Sequence, residues 1–137
     1  MYPSDYEIVA LHKKHATGSD AFEKIYGHSV IVKDIALDLI EKNKLTLDIR
    51  LVEAGALLHD IGTYSLYKDG TFDKSNYVTH GIRGHRIMRD EGYPEKLARI
   101  ASHHTGMGLT KEGIVRDNLP LPGQDYLAET IEERLVM

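Results

Sequence analysis

The sequence has no cysteine or tryptophan and few aromatic residues. Aromatic residues make up 7% of the 137 residues, and hydrophobic residues 42%. The absence of cysteine excludes disulfides, thiolate metal ligands and a cysteine nucleophile, and it is compatible with a reducing compartment. Any metal site in this chain must therefore use nitrogen and oxygen ligands. The length and the hydrophobic content suit one domain with its own core.

The chain also lacks an excess of positive charge and a long apolar run. Seventeen Lys and Arg residues face twenty-one Asp and Glu residues, so the formal net charge is -4. Duplex nucleic acid and anionic membranes favour a broad basic face, which this composition does not provide. No segment approaches the roughly 18 apolar residues of a membrane span, and the start MYPSDYEIVA does not resemble a secretion signal. We expect a cytoplasmic protein that binds neither duplex nucleic acid nor a membrane.

Hydrophobic periodicity predicts an all-α domain of about five to seven helices. Ser4 and Glu7 have the spacing of a capping box at the first helix, and Asp48 is a plausible cap for the third. The predicted helices are 6–15, 21–42, 49–59, 80–91, 95–104 and 125–137, with a turn of helix at 111–116. We expect one domain over 1–137, with its core at about 20–137 and the N-terminal helix 4–15 packed on it.

Two details of this prediction concern the second helix and the segment after the third. Apolar residues recur in the second helix at three and four positions, and they are expected to face the core. These residues are Val32, Ile35, Ala36, Leu39 and Ile40. Residues 63–79 have no sustained period, so they are predicted to form a loop, and no alternating pattern in the chain is long enough to argue for a sheet.

The eight histidines are the unusual feature of the composition. His28, His59, His80 and His104 each share the apolar face of a different predicted helix, so each is expected to point inward. Asp60 follows His59 at a helix end, where its carboxylate can lie beside the imidazoles. One inward histidine is more often a structural core residue, but four beside a carboxylate favour a divalent metal site.

The other histidines are not assigned to this site. His12 and His15 flank two lysines on a polar segment, and His85 is turned away from His80 on its helix, so all three are interpreted as structural or solvated residues. His103 lies next to His104 but about a hundred degrees around the helix, and its role stays open.

These residues resemble the HD-domain metal-dependent phosphohydrolases. The resemblance covers roughly residues 20 to 137 and depends on His28, the run LLHDIG that contains His59 and Asp60, HGIRG from His80 and HTGMG from His104. Residues 104–112 and the LPLP run at 119–122 further resemble small HDIG-type proteins. The family implies a helical fold, one or two divalent ions (Mn, Fe, Co, Ni, Zn or Mg) and hydrolysis of phosphoester bonds, usually in nucleotides.

The resemblance also implies roles for individual residues. His28, His59 and Asp60 match three ligands of a first metal ion. Asp60 as a bridge, with His80 and His104, matches the ligands of a second ion. Asp60 would in addition be the catalytic residue that orients the attacking water.

The sequence departs from the family pattern at two positions. The family's first metal normally has a further Asp from the last helix, and the sequence ends at Met137 where that residue is due. Asp117 and Asp125 are the nearest carboxylates, and both come too early in the pattern. Thr63 stands where relatives with a longer signature often have a phosphate-facing Lys.

Phosphate binding must then come from other residues. Arg83 and Lys33 are the predicted substrate-binding residues, with Lys111 as a further candidate. Aromatic residues at 63–79 could cover the pocket and stack on a base, or pack on the domain as loop residues commonly do. They are Tyr64, Tyr67, Phe72 and Tyr77.

The sequence therefore predicts hydrolysis of a phosphomonoester, phosphodiester or phosphoanhydride in a small nucleotide-like substrate. The departures leave open a degenerate HD domain that binds metal or nucleotide as a sensor or interaction module. A third alternative is a helical interaction protein with structural histidines. Under any of these functions, a small helical domain is compatible with a homodimer.

Overall fold

Seven α-helices account for most of the regular structure in the computed structural model, which describes residues 1–106 and 108–137. Met107, in the HTGMG motif, lies outside the described residues. The helices are α1 (Asp5–His15), α2 (Ser19–Lys42), α3 (Ile49–Leu58), α4 (His80–Asp90), α5 (Glu95–Ser102), α6 (Lys111–Arg116) and α7 (Ile131–Leu135). The prediction of an all-α fold with five to seven helices is confirmed.

Both predicted caps are present. At the start of α1, the Ser4 hydroxyl accepts from the Glu7 amide at 3.2 Å, and the Glu7 carboxylate accepts from the Ser4 amide at 2.7 Å. At the start of α3, the Asp48 carboxylate accepts from the Leu51 amide at 3.1 Å. Each cap satisfies backbone donors that the first turn of a helix leaves unpaired, so these residues determine where α1 and α3 begin.

Helix α3 is at the centre of the domain. Val52, Ala54, Ala56 and Leu58 are fully buried, and α3 packs against α2 and α5. A helix that is apolar on nearly all sides must be covered by other elements. The His59–Asp60 pair follows α3 directly, so the fold carries this pair into the interior.

Gly62 and Gly81 allow three backbone segments to pack closely: the segment after Asp60, the start of α4 and the end of α5. A Cβ at Gly62 would overlap the backbone carbonyl of His80 and lie 2.5 Å from the Gly84 nitrogen. A Cβ at Gly81 would lie 2.7 Å from the Ala101 carbonyl. Backbone can approach this closely only where there is no side chain. The two glycines therefore place the start of α4 beside both Asp60 and the end of α5.

Residues 63–79 contain more regular structure than a loop. A 3₁₀ segment (Ile61–Leu66) precedes a small antiparallel hairpin of β1 (Tyr67–Lys68) and β2 (Thr71–Phe72), and a second 3₁₀ segment (Lys74–Thr79) follows. The prediction of a loop over 63–79 did not include this hairpin. The hairpin turns at Asp69–Gly70, where both residues have positive φ. Asp-Gly is a recognised hairpin signal, although two-residue strands are too short to show alternation.

The buried face of α2 differs from the predicted apolar stripe. Ala36 and Ile40 are buried, but Ile35 is 57% exposed and Leu39 is 41% exposed. The prediction that these two residues face the core is wrong. Val30 and Leu37 pack against the core instead, so the buried face of α2 is rotated away from the predicted stripe.

The end of the chain also differs from the prediction, which placed a helix at 125–137. Tyr126 instead forms a bridge with Leu109, with backbone hydrogen bonds of 2.6 and 3.3 Å, and this pairing holds the chain extended. Helix α7 begins only at Ile131, where the side chain of Thr130 caps the helix by accepting from the Glu133 amide. The helical period of a segment cannot predict a backbone bridge between that segment and a distant one.

Candidate metal centre

Four elements bring four imidazoles around one carboxylate. His59 caps the end of α3 and Asp60 follows it, while His28 lies midway along α2. His80 is the first residue of α4, and His104 lies two residues after α5. All except His28 are buried. The residues that the sequence predicted as metal ligands are thus adjacent in the structure.

The Asp60 carboxylate lies between two pairs of imidazoles. Its Oδ2 atom lies 3.2 Å from His28 Nε2 and 3.1 Å from His59 Nε2. Its Oδ1 atom lies 3.3 Å from His80 Nε2 and 3.2 Å from His104 Nε2. One carboxylate with each oxygen directed to a separate pair of nitrogens has the arrangement of a bridge between two ions.

Backbone hydrogen bonds orient three of these rings. The Nδ1 atoms of His59, His80 and His104 donate to the carbonyls of Ala56, Tyr77 and Ala101, at 2.6, 2.6 and 2.5 Å respectively. A carbonyl can only accept, so Nδ1 carries the hydrogen and Nε2 of the neutral ring has a lone pair. All three lone pairs point toward Asp60.

This arrangement leaves acceptor atoms facing one another. The Nε2 atoms of His80 and His104 are 2.9 Å apart, and Asp60 Oδ1 is buried without a hydrogen-bond partner among the described residues. Lone pairs of neutral imidazoles and a carboxylate repel unless a proton or another cation lies between them. The cluster therefore has the electrostatic character of a cation site.

The spacing also fits a divalent ion. Zinc-type ions bind imidazole nitrogen and carboxylate oxygen at about 2.0–2.2 Å, so neighbouring ligand atoms are separated by about 3.0–3.4 Å. The N···O separations of 3.1 to 3.3 Å around Asp60 agree with this range. Two groups could hold an ion, and they share Asp60: His28, His59 and Asp60, and Asp60, His80 and His104.

The charges of the cluster influence one another. Burial acts to raise the pKa of Asp60, but contacts with His104, His59 and His80 outweigh it and hold that pKa well below its usual range. Burial acts to lower the pKa of His59, but the Asp60 carboxylate outweighs it and the pKa is raised. For His104 burial dominates and the pKa is lowered. Asp60 is therefore a carboxylate, the form that a metal ligand requires.

His28 does not point into the core as predicted, because its side chain is 56% exposed. It lies on the flank of α2, at a cavity of about 250 Å³ that reaches the cluster. This cavity gives solvent and small molecules access to the buried imidazoles. It is lined by His28, Val32, His59, Asp60, Tyr77, His80, His104, Thr105, Gly106, Val136 and Met137.

The other histidines lie outside the two groups. His12 is fully buried, although the sequence placed it on a polar segment. His85 Nδ1 lies 2.9 Å from the Ser102 hydroxyl, and His103 Nδ1 lies 2.7 Å from the same oxygen. His15 is half-buried. Burial of His12 follows from the packing of α1 on α2 and α3, which the pattern of α1 did not reveal.

The predicted substrate residues are not among those that line the cavity of the cluster. Arg83 donates to the Thr79 hydroxyl at 2.7 Å and to the Ser65 hydroxyl at 3.2 Å. Lys33 lies 3.6 Å from the Asp34 carboxylate. Lys111 belongs to α6, which lies apart from the cluster cavity. Helical spacing put Arg83 near His80 but could not show that its guanidinium is held by neighbouring hydroxyls.

The two carboxylates considered as substitutes for the missing last ligand, and one predicted lid residue, also lie outside the metal cluster. Asp117 pairs with Arg116 at 3.1 Å, and Asp125 accepts from the Lys111 amide at 2.7 Å. Tyr64 is only 2% exposed and belongs to the core, so it does not cover the pocket.

Fold and cluster together define a class of protein: a helical domain whose buried His/Asp cluster could hold divalent ions. The HD domain family model matches residues 25–137. The chain belongs to the HD domain family, as its histidine motifs indicated.

Two relatives match most of this chain. It is 38% identical over 117 residues to an uncharacterized protein of Methanocaldococcus jannaschii, covering 83% of this chain and 63% of that protein. It is 37% identical over 117 residues to a tRNA (cytidine(56)-2'-O)-methyltransferase of Picrophilus torridus, covering 85% of this chain and 30% of that protein. The chain thus spans less than two thirds of the length of these relatives.

A solved structure has the same fold. The HD domain of the L. monocytogenes phosphodiesterase PgpH matches with a TM-score of 0.62 at 18% identity, over 96% of this chain and 69% of that one. Among the described residues, no helix is both long and apolar enough to cross a membrane.

Proposed function

We propose that this domain is a metal-dependent phosphohydrolase that cleaves a phosphoester or phosphoanhydride bond of a small nucleotide-like substrate. The observation that carries the proposal is the Asp60 carboxylate, with its two oxygens directed at separate pairs of imidazole nitrogens. Membership of the HD family supports it, and so does the likeness in fold to a domain named as a phosphodiesterase.

The protein groups would hold and orient the reacting parts. Divalent ions, when bound, would neutralise phosphate oxygens and lower the pKa of a water molecule. Asp60 would hold both ions, while the backbone carbonyls behind His59, His80 and His104 keep the ring nitrogens directed inward. Three protein ligands per ion leave positions for water and substrate, as in catalytic sites. The exposed side at His28 is where substrate would enter.

A second function has support of its own. Arg83 and Lys33 lie away from the cluster cavity, and Thr63 stands where a lysine was expected. The named methyltransferase relative contains the matching region as 30% of its length, so there the domain accompanies another activity. A domain that binds metal and nucleotide without turnover is therefore the alternative.

Metal analysis with a hydrolysis screen separates the two functions. Untagged wild type, Asp60→Asn and the control His15→Gln would be loaded with Mn²⁺, Fe²⁺, Co²⁺ or Zn²⁺ and analysed by mass spectrometry, then assayed on a panel of nucleotides. We expect about one to two equivalents of metal and hydrolysis in wild type and control, and neither in Asp60→Asn.

Two results would count against the phosphohydrolase. Full metal content and full activity in Asp60→Asn would remove the site from the reaction. Metal and nucleotide binding with no product across the whole panel would establish the binding module instead.

A further inference from the structure

A second cavity adjoins the metal cluster. Its volume is about 480 Å³, and it shares His28, Asp60 and Tyr77 with the cavity over the imidazoles. A molecule with one end at Asp60 can therefore extend into this space. The cavity is lined by Lys24, Ile25, His28, Asp60, Thr63, Tyr67, Phe72 and Tyr77.

One wall of this cavity is aromatic. The rings of Tyr67 and Phe72 have centroids 5.0 Å apart, and those of Phe72 and Tyr77 are 6.0 Å apart. Tyr77 in turn stacks on His80, with centroids at 4.3 Å, so the wall continues to the cluster. Tyr67 and Phe72 are only half-buried and Tyr77 is 45% exposed. The rings are inclined at 49° and 63° to one another, so a planar base would pack against the face of one ring and the edges of its neighbours.

A lysine lies at the same cavity. Lys24 precedes His28 by one helical turn on α2, so both side chains are on one face of the helix. Lys24 is exposed and makes no ion pair within residues 1–106 and 108–137, whereas Lys42 on the same helix pairs with Asp38 at 2.8 Å. The Lys24 ammonium group is therefore available to an anion in the cavity.

A buried hydroxyl belongs to the same cavity lining. Thr63 is 8% exposed, and its Oγ1 atom has no hydrogen-bond partner in the described part of the chain. Buried hydroxyl groups are nearly always paired. A ligand oxygen, or a water molecule held by the ligand, would supply the partner.

We propose that this second cavity is the substrate subsite, in which Lys24 and Thr63 bind the phosphate of a nucleoside phosphate. The planar base of that substrate packs on the wall of Tyr67, Phe72 and Tyr77. This inference rests on the proposed function of the cluster. Lys24 then does what sequence spacing assigned to Arg83 and Lys33.

The lysine is tested by kinetics on the metal-loaded chain. KM and kcat for adenosine 5'-monophosphate, with the other nucleoside monophosphates in parallel, would be measured for Lys24→Gln, Lys24→Arg and the control Lys42→Gln. We expect KM to rise about tenfold in Lys24→Gln, to recover in Lys24→Arg and to stay unchanged in the control. An unchanged KM in Lys24→Gln at full metal content overturns the role of Lys24.

The aromatic wall is tested with a substrate that lacks the base. Phe72→Ala is expected to raise KM for adenosine 5'-monophosphate about tenfold and to leave KM for ribose 5-phosphate unchanged. Equal changes for both compounds overturn the assignment of the base to this wall. Circular dichroism and metal content of the variant confirm that the helical fold and the cluster are intact.

A binding measurement separates failure of this inference from failure of the proposed function. Adenosine 5'-monophosphate would be titrated calorimetrically into the metal-loaded wild type and Lys24→Gln. If no compound is hydrolysed, the proposed function fails, and weaker binding to Lys24→Gln still supports the subsite. If wild type binds no adenosine 5'-monophosphate, or both proteins bind it equally, the subsite assignment is overturned.

Discussion

Two groups of buried histidine contrast in this domain. His12, which belongs to α1 and contacts the end of α3, has a partner for each ring nitrogen. In the cluster around Asp60, the buried rings of His59, His80 and His104 have backbone partners on their outer nitrogens, and their inner nitrogens face the carboxylate. His12 and these three rings of the cluster are buried, whereas His28 is exposed. Burial alone therefore does not identify a functional histidine. Several ring nitrogens with free lone pairs directed at one carboxylate do identify one.

The His12 network is complete. Nε2 donates to the Leu57 carbonyl at 2.7 Å, and Nδ1 accepts from the Tyr64 hydroxyl at 2.7 Å. The ring also packs edge-on against Tyr26, with centroids 5.1 Å apart. Burial lowers the pKa of His12 to about 4, so the neutral ring is the native form. Nothing at His12 calls for a further ligand.

The most decisive test of this contrast is to remove one histidine from each region. His59→Ala is expected to lose bound metal and phosphohydrolase activity, because it removes an inner nitrogen beside Asp60. The loss of metal affinity should exceed about 100-fold. His12→Ala should bind metal as wild type does. Metal content by mass spectrometry and steady-state hydrolysis provide the measurements.

The stability of the metal-free proteins provides the control for this test. Metal-free His59→Ala is expected to lose stability as His12→Ala does, because it leaves a cavity and the Ala56 carbonyl without its donor, so metal content is compared only after circular dichroism shows that both variants are folded. Equal metal content in His59→Ala and His12→Ala would contradict the distinction between the two regions.

The sequence predicted which residues form the Asp60 cluster, but it did not predict that His12 is a buried structural residue. Caps at Ser4 and Asp48 and the helical period located α1 and α3, and helical spacing correctly put His59 on an inward face. The same argument was wrong for His28, whose side chain is 56% exposed. The tautomer of a histidine, however, depends on which carbonyl lies beside Nδ1, and that partner is known only once the turn has been formed. His12 was missed as a core residue because its neighbours in sequence are lysines.

Interactions between distant segments account for the other differences. Ile35 faces solvent because no element covers that side of α2 among the described residues. The Tyr126 bridge to Leu109 replaces the predicted start of the last helix. Lys24 had no signal of its own, because its proximity to Thr63 and Phe72 depends on the fold of the hairpin.

A second prediction concerns how much His12 contributes to the free energy of unfolding. His12→Ala should lower the free energy of unfolding by about 4 kcal/mol, because it leaves a cavity and two unpaired polar groups, the Leu57 carbonyl and the Tyr64 hydroxyl. Urea denaturation monitored by circular dichroism measures this change. Lys13→Ala, which replaces the exposed neighbour of His12, is the control and should shift the free energy by less than about 0.5 kcal/mol. A loss below about 1 kcal/mol in His12→Ala would show that the buried network contributes little.

A third prediction uses pH to isolate His12. Its pKa is lowered from 6.5 to about 4 in the native protein, so between these values the unfolded chain binds a proton that the folded chain does not. Native stability should therefore fall as pH decreases from about 6.5 to about 4, by at most about 3 kcal/mol from this residue. In His12→Gln that contribution is absent, and the difference between the two stability curves isolates it, since other groups titrate in both proteins. Parallel curves over this range would disprove the assignment.

The smallest expected effect is also the most specific to the contrast. Tyr64→Phe keeps the ring that packs on His12 and removes only the hydroxyl that donates to Nδ1. One buried acceptor then lacks its partner, so we expect a loss of about 1 kcal/mol in unfolding free energy with no change in bound metal. Denaturation curves and metal content of the same preparation test both parts. The metal measurement is the sharper one, because His12 donates to the Leu57 carbonyl, only two residues before His59. If Tyr64→Phe loses metal as well as stability, the two groups of histidine are coupled through the end of α3, and completeness of the His12 network is then a condition for the geometry of the cluster.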